Sequence, residues 1–151
     1  MSHDSQYVHK SHNVSVLLYH LVCPTKYRRA VVTAPVEATL GKICAHLETC
    51  YEITFLEIGT DLDHVHFLIQ SVPTLSPSRL AQIIKSITAR ELRARLPGLR
   101  DELWGAAFWS SGYFVNTVSR HGSEVTIRLY VQQQGVAQDY RVVHSRQLEL
   151  F

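Results

Sequence analysis

Hydrophobic residues recur along this chain at two spacings, and the spacing separates predicted strands from predicted helices. Runs rich in β-branched and aromatic residues predict strands, because these side chains pack well on a pleated surface. Apolar residues that recur every three or four positions predict helices, because they then share one helical face. The predicted strands cover residues 13–23, 51–59, 64–72 and 108–118, and the predicted helices cover residues 34–49, 77–96 and 123–134.

The order of these elements predicts the fold. Strand, helix, strand, strand, helix, strand and a final helix match the split βαβ pattern of an α+β, ferredoxin-like fold. In that fold an antiparallel sheet carries its helices mainly on one face. The connection at residues 60–63 is too short for a crossover, so its two flanking strands should pair antiparallel. Gly112 interrupts the last strand and predicts a bulge there.

Length and composition favour one domain. A chain of 151 residues, 46% of them hydrophobic, is long enough to bury one core. We expect a flexible arm at residues 1–12, a single domain at residues 13–137 and a tail at residues 138–151. Three cysteines without a Cys-x-x-Cys spacing indicate neither a disulfide framework nor a zinc ribbon. With no signal-peptide pattern and no membrane-spanning run, we expect a cytoplasmic protein without a membrane partner.

Two histidines on one predicted strand are the first candidates for chemistry. His64 and His66 are two residues apart, so the alternation of side chains along a strand puts both on the same face. Two imidazoles on a rigid strand bind a divalent metal ion if a third ligand arrives from elsewhere. A His-x-His pair on a strand is more often structural than metal-binding, so the pair alone leaves both interpretations open.

Positive charge is distributed unevenly. The formal net charge is only +2, but residues 79–100 contain six lysines and arginines, Lys85 among them, against one acid. A second basic group, Lys26, Arg28 and Arg29, follows the first predicted strand. Such patches bind phosphates, although solvated turns and helix faces carry similar charge.

The last predicted helix carries a tyrosine and a glutamine four residues apart. Tyr130 and Gln134 therefore share one helical face. If that face covers His64 and His66, the amide oxygen of Gln134 would complete a site with open positions, which suits Mg²⁺ or Mn²⁺. Tyr130 would then be placed to act as a nucleophile that forms a covalent ester with a phosphodiester substrate. Gln133, three residues from the tyrosine, is an alternative third ligand.

Four motifs in the chain resemble those of the single-tyrosine HUH transposases of the single-strand insertion-sequence family, the IS200-like or TnpA type. They are KYRR at residues 26–29, DHVH at 63–66, WSSGYFVNTV at 109–118 and YVQQQ at 130–134. The resemblance covers about residues 14–135. It implies a ferredoxin-like fold and the cleavage of single-stranded DNA through a 5′-phosphotyrosine, with strand transfer when the step is reversed.

The resemblance also implies a role for each candidate residue. Tyr130 would be the nucleophile, and Mg²⁺ or Mn²⁺ would be bound by His64, His66 and Gln134. The family motif places its glutamine four residues after the tyrosine, which favours Gln134 over Gln133. The segments that resemble DNA-contacting regions contain Lys26, Arg28, Arg29 and Lys85. The implied partners are single-stranded DNA with hairpins and a second copy of the chain, whose tyrosine helix completes the site.

Other functions stay open at this point. A domesticated relative would cut hairpin repeats in a host chromosome without moving itself. A non-catalytic regulator would bind hairpin DNA through its basic helix, with His64 and His66 purely structural, and its binding would be insensitive to chelators. A metal-dependent hydrolase of a small phosphate ester would need neither DNA nor a second copy.

Overall fold

A five-stranded antiparallel sheet with helices packed against it forms most of the described part of the chain. The structure is a computed structural model that describes residues 8–9, 14–15, 17–118 and 141–145. The strands are β1 (Val8–His9), β2 (Val14–Ser15), β3 (Leu17–Pro24), β4 (Thr54–Asp61), β5 (His64–Ser71), β6 (Phe114–Val118) and β7 (Arg141–Ser145). The helices are a 3₁₀ turn (Lys26–Arg28), α1 (Ala34–Cys50), α2 (Pro77–Arg95) and α3 (Leu99–Glu102).

β5 lies at the centre of the sheet. The strand order is β6-β3-β5-β4-β7, so β5 is hydrogen-bonded to β3 on one edge and to β4 on the other. Both pairings are antiparallel, with Phe67 opposite Leu21 of β3 and Ile58 of β4. Every residue of β5 is buried. The antiparallel pairing of β4 with β5 confirms the prediction made from the short connection between them.

α1 and α2 pack against one face of this sheet. Alternate residues of β3 and β5, such as Leu21 and Phe67, point to that face and are buried together with Leu40 of α1 and Leu80 of α2. The intervening residues of β5, such as His66, are also buried but lie outside this cluster. The α+β class and the antiparallel sheet are therefore confirmed, and the histidines lie on the second face.

Local sequence signals account for the beginnings of both long helices. The hydroxyl of Ser76 accepts a hydrogen bond from the Arg79 N–H at 3.1 Å, and Pro77 occupies the first position of α2. Pro35 lies in the first turn of α1 in the same way. The observed bounds differ from the two predicted helices by one residue at the C-terminal ends.

The predicted strand at residues 108–118 is wrong in its first half, because β6 begins only at Phe114. Trp109 forms an isolated bridge to the residue that follows β3. The carbonyl oxygen of Gly112 accepts a hydrogen bond from the Lys85 ammonium at 3.4 Å, so a side chain of α2 binds a backbone group that a strand would pair in the sheet. Gly112 is therefore part of a connection and not a bulge. The register irregularities of the sheet lie in β4 instead.

Two segments that we expected to lie outside the domain contain strands. Val8–His9 pairs with Val14–Ser15 in a separate two-stranded sheet, and Arg141–Ser145 pairs with β4 at one edge of the main sheet. The domain boundaries themselves stay a prediction. The predicted helix at residues 123–134 lies outside the described residues. Among the described residues, no helix is long and apolar enough to span a membrane.

A buried hydrogen bond joins α2 to the segment that precedes β6. The indole N–H of Trp109 donates to the hydroxyl of Thr88 at 2.9 Å, and both side chains are buried. We expect Thr88→Val to lower the free energy of unfolding by about 1–3 kcal/mol, because the indole N–H loses its acceptor while the shape is kept. Chemical denaturation measures this change. Ser86→Ala removes an exposed hydroxyl from the same helix and should change stability by less than about 0.5 kcal/mol; equal effects of the two substitutions would contradict the prediction.

Candidate functional site

Three histidines lie together on the second face of the sheet. His64 and His66 share this face, as the alternation along β5 predicts, and their ring centroids are 4.8 Å apart. His20 joins them from β3, where the residue two positions further along pairs with His66. Its Nε2 atom lies 3.2 Å from Nδ1 of His66, and the two rings are stacked with centroids 5.5 Å apart. The sheet register therefore builds a cluster of three imidazoles from two adjacent strands.

The cluster is almost completely removed from solvent. The exposed fraction is 0% for His20, 1% for His66 and 9% for His64. Burial disfavours the charged imidazolium, and it lowers the pKa of His20 to about 4. Burial also lowers the pKa of His66 to about 3, with smaller contributions from His64 and His20. Both side chains are therefore neutral near pH 7, which is the form of histidine that binds metal ions.

An aspartate orients His64. Asp63 lies in the two-residue turn between β4 and β5, and its Oδ1 atom is 2.6 Å from Nδ1 of His64. A carboxylate only accepts hydrogen bonds, so Nδ1 of His64 carries a proton, and Nε2 is the atom through which the neutral ring would bind a metal ion. The other carboxylate oxygen forms an ion pair with Nε of Arg28 at 3.2 Å. A carboxylate behind a histidine is the usual second partner of a metal-binding imidazole, because it fixes both the tautomer and the ring orientation.

The described residues include two of the three predicted metal ligands. His64 and His66 are brought together as predicted, and their donor atoms suit a divalent metal ion. Tyr130, Gln134 and the alternative Gln133 lie outside the described residues. Among the described residues, no group of three or more His, Cys, Asp or Glu side chains forms a metal centre. The complete ligand set therefore stays a prediction.

The basic residues that follow β3 are close to the histidines. Lys26, Arg28 and Arg29 belong to or follow the 3₁₀ turn, and Arg28 contacts the aspartate that orients His64. The backbone N–H of Thr25 donates to the Asp63 carbonyl oxygen at 2.9 Å, which attaches this turn to the beginning of β5. Three positive side chains are thus presented beside one end of the histidine strand.

Lys85 has a different environment from the other predicted DNA-contacting residues. Its ammonium group donates to the carbonyl oxygens of Ser111 and Gly112 and lies 5.1 Å from the ring centroid of Tyr113. It lines a groove of about 740 Å³ between α2 and the connection before β6, together with Arg79 and other polar side chains. Its observed contacts hold that connection, and its contact with DNA stays a prediction.

His20 is not among the site residues predicted from the sequence. The sequence signal was a histidine in the middle of an otherwise apolar and aromatic strand. Because side chains alternate along a strand, this histidine points away from the helices. Its proximity to His66 depends on the pairing of β3 with β5, two strands that are 40 residues apart in the chain. The histidine could have been found only by predicting that pairing and its register.

Comparison with known proteins agrees with the fold and with the resemblance inferred from the motifs. The family model described as "Transposase IS200 like" matches residues 13–134. The chain therefore belongs to the IS200-like transposase family, and the resemblance inferred from the motifs is confirmed. Membership of this family implies a DNA-cleaving enzyme that acts in the transposition of insertion sequences.

Individual relatives are distant. The chain is 28% identical over 118 residues to the ISDra2 transposase TnpA of Deinococcus radiodurans, a match that covers 78% of this chain and 84% of the relative. It is also 28% identical over 116 residues to the transposase for insertion sequence element IS200 of Salmonella typhimurium, covering 77% and 75% of the two chains.

Solved structures share the fold. A crystal structure described as that of a transposase from Deinococcus radiodurans R1 superposes with a TM-score of 0.68 at 28% identity, covering 86% of this chain and 99% of that chain. A REP-associated tyrosine transposase bound to a REP hairpin superposes with a TM-score of 0.54 over 83% of this chain and 68% of that chain. At 9% identity this second likeness shows the fold alone.

Burial of two neutral histidines makes the stability of the fold depend on pH. Below pH 6.5 the unfolded chain binds protons at His20 and His66 that the folded chain does not bind until about pH 4 and about pH 3. The free energy of unfolding therefore falls as the pH falls through this range, by up to about 1.4 kcal/mol per pH unit for each histidine. In His20→Gln we expect the free energy of unfolding to depend less steeply on pH, because one of the two contributing histidines is gone. Denaturation at several pH values with a chelator present measures this dependence. An unchanged slope would contradict the burial of a neutral His20.

Proposed function

We propose that this chain cleaves and rejoins single-stranded DNA at the hairpin-bearing ends of an insertion sequence, through a 5′-phosphotyrosine on Tyr130. The observation that carries the proposal is the pair His64 and His66, side by side on the central strand, with Asp63 holding the first of them ready to bind through Nε2. Membership of the IS200-like transposase family supplies the class of reaction.

The proposed metal site consists of His64, His66 and Gln134. Two neutral imidazoles and one amide oxygen leave coordination positions for phosphate oxygens and water, which suits Mg²⁺ or Mn²⁺. A bound metal ion would supply Lewis-acid polarisation of the scissile phosphate. The protein contributes by fixing His64 through Asp63 and by keeping His66 buried and neutral beside His20.

The proposed covalent step is a transesterification. The phenolic oxygen of Tyr130 gives up its proton and attacks the scissile phosphorus, the bond from phosphorus to the 3′-oxygen breaks, and the 3′-oxygen takes up a proton and leaves as a hydroxyl. Because the phosphodiester count is unchanged, a different 3′-hydroxyl can attack the phosphotyrosine and rejoin the strand. Hydrolysis is therefore not required, and the same site performs cleavage and joining.

The proposed substrate carries hairpins, and the proposed assembly is a homodimer. A hairpin substrate is supported by the fold relative whose structure contains a REP hairpin, although that ligand belongs to the relative. The positive side chains of Lys26, Arg28 and Arg29 beside the histidine strand suit contacts with DNA phosphates. In the dimer, the tyrosine helix of one subunit would complete the site of the other.

The nucleophile is tested with a labelled single strand that spans the end of the element and its subterminal hairpin, incubated with Mn²⁺ or Mg²⁺. We expect the protein to form a covalent adduct that survives denaturing electrophoresis. Tyr130→Phe should abolish the adduct, because the phenyl ring has no oxygen to attack phosphorus. Tyr113→Phe, at an exposed tyrosine, should keep it. Persistence of the adduct in Tyr130→Phe would reject the proposed nucleophile.

The role of Asp63 is tested through the metal concentration that supports half-maximal cleavage. We expect this concentration to rise about 10-fold to 100-fold in Asp63→Asn, because His64 loses the carboxylate that fixes its tautomer. Saturating metal should restore most of the cleavage. Asp101→Asn removes the same charge from the exposed surface of α3 and should leave the metal dependence unchanged.

A regulator without chemistry would instead bind hairpin DNA equally well with and without metal and would cleave it under neither condition.

A further inference from the structure

Two exposed aromatic rings lie against one arginine near the histidine strand. Tyr27 belongs to the 3₁₀ turn and is 71% exposed, and Trp104 lies in the turn after α3 and is 82% exposed. The guanidinium carbon of Arg29 lies 5.8 Å from the ring centroid of Tyr27 and 5.5 Å from that of Trp104. We call these three side chains the aromatic cluster. They come from segments more than 70 residues apart, so the fold brings them together.

The backbone at the aromatic cluster is in an uncommon conformation. Tyr27, Arg28 and Trp104 have φ values of 57°, 53° and 54°, in the left-handed region, and they are the non-glycine residues of the described chain with positive φ. Residues other than glycine adopt this backbone conformation at a cost in energy. Exposed rings recover little of that cost through burial in the core. Packing of the hydrophobic core therefore gives no reason for aromatic residues at positions 27 and 104.

Hydrogen bonds hold the cluster in place. Nη1 of Arg29 donates to the Glu102 carbonyl oxygen at 3.3 Å, which joins the 3₁₀ turn to α3. The hydroxyl of Thr25 donates to the Arg29 carbonyl oxygen at 2.7 Å. The backbone N–H of Trp104 donates to the Asp101 carbonyl oxygen at 3.1 Å. The rings are thus presented by a built surface rather than by long free side chains.

Positive charge lies beside Tyr27 and connects the cluster to the histidines. The ammonium group of Lys26 lies 5.2 Å from the ring centroid of Tyr27. The neighbouring Arg28 is 59% exposed and forms the ion pair with Asp63, which in turn binds His64. One ion pair and one hydrogen bond therefore separate the segment that carries the cluster from a proposed metal ligand.

We propose that the aromatic cluster is a stacking site for an unpaired base of single-stranded DNA, with Trp104 as its main platform and Lys26 and Arg28 contacting the neighbouring phosphates. This inference rests on the proposed function and specifies where the strand lies beside the histidines. Every base has a flat π face, so aromatic side chains and arginine bind unpaired bases with little sequence preference. A base pair in a duplex does not expose that face, so the site selects single strands. The positive side chains of Lys26 and Arg28 beside the cluster complement the negative charge of the DNA backbone.

Tryptophan fluorescence tests the contact directly, because the chain has only two tryptophans. Trp104 is exposed, whereas Trp109 is 5% exposed and hydrogen-bonded to Thr88. The probe is a 20-nucleotide oligothymidylate at fixed low salt. We expect it to quench the emission of the unmodified protein, because a stacked base quenches indole fluorescence. In Trp104→Phe, where only the buried tryptophan remains, the same probe should cause little quenching.

Affinities measured by fluorescence anisotropy of a labelled probe test the energetic contribution. We expect Trp104→Ala to weaken binding of oligothymidylate about tenfold, and Trp104→Phe to weaken it less, because a ring remains. Binding to a duplex of the same length should be unchanged in both variants. Tyr113→Ala is the matched control, because it removes an exposed tyrosine that also lies beside a lysine. The thermal midpoint should be unchanged in Trp104→Ala, because the side chain is exposed.

Several results would overturn the inference. One is the absence of quenching in the unmodified protein. Others are an equal loss of affinity for single strand and duplex in Trp104→Ala, or an equal loss of affinity for single strand in Tyr113→Ala. A smaller assembly of DNA-free Trp104→Ala in sedimentation would assign the ring to a subunit contact. The adduct assay separates this inference from the proposed function. Quenching without any covalent adduct contradicts only the proposed reaction, and an adduct without quenching contradicts only the stacking site.

Discussion

Hydrogen bonding along both edges of β5 is the constraint on which the candidate site depends. A strand paired on both sides cannot slip by one residue without turning all of its side chains to the opposite face. Phe67 is locked between Leu21 and Ile58 on the helix-covered face, so His64 and His66 are locked on the other. The hydrophobic core therefore sets the positions of two polar side chains that contribute nothing to it.

Much of this arrangement could be predicted from local sequence patterns. Both long helices, the antiparallel pairing of β4 with β5 and the common face of the two histidines followed from periodicity and a short connection. Motif resemblance identified the family, which the family comparison confirms. These features depend on residues that are close together in the sequence, or on short motifs that can be read directly from it.

Features that depend on distant contacts were missed. The first half of the predicted strand at residues 108–118 has strand-like composition, but Trp109 is buried against Thr88 and a lysine of α2 binds the following carbonyl groups. β7 lies in a polar segment whose pairing with β4 no periodicity indicates. His20 reaches His66 only through the register of β3 with β5. Tyr130 and Gln134 lie outside the described residues, and their placement stays a prediction.

Asp63 has consequences beyond the orientation of one imidazole. Its two carboxylate oxygens are divided between His64 and Arg28, so the aspartate is a shared partner of the histidine strand and of the basic turn. If the proposed metal ion binds at His64, a DNA phosphate that draws Arg28 away from Asp63 would leave more of the negative charge to His64, and the metal ion would in turn weaken the ion pair with Arg28. Thermodynamic linkage requires these two influences to be equal in free energy. One carboxylate would thus couple a ligand of the basic turn to a metal ion at the histidines.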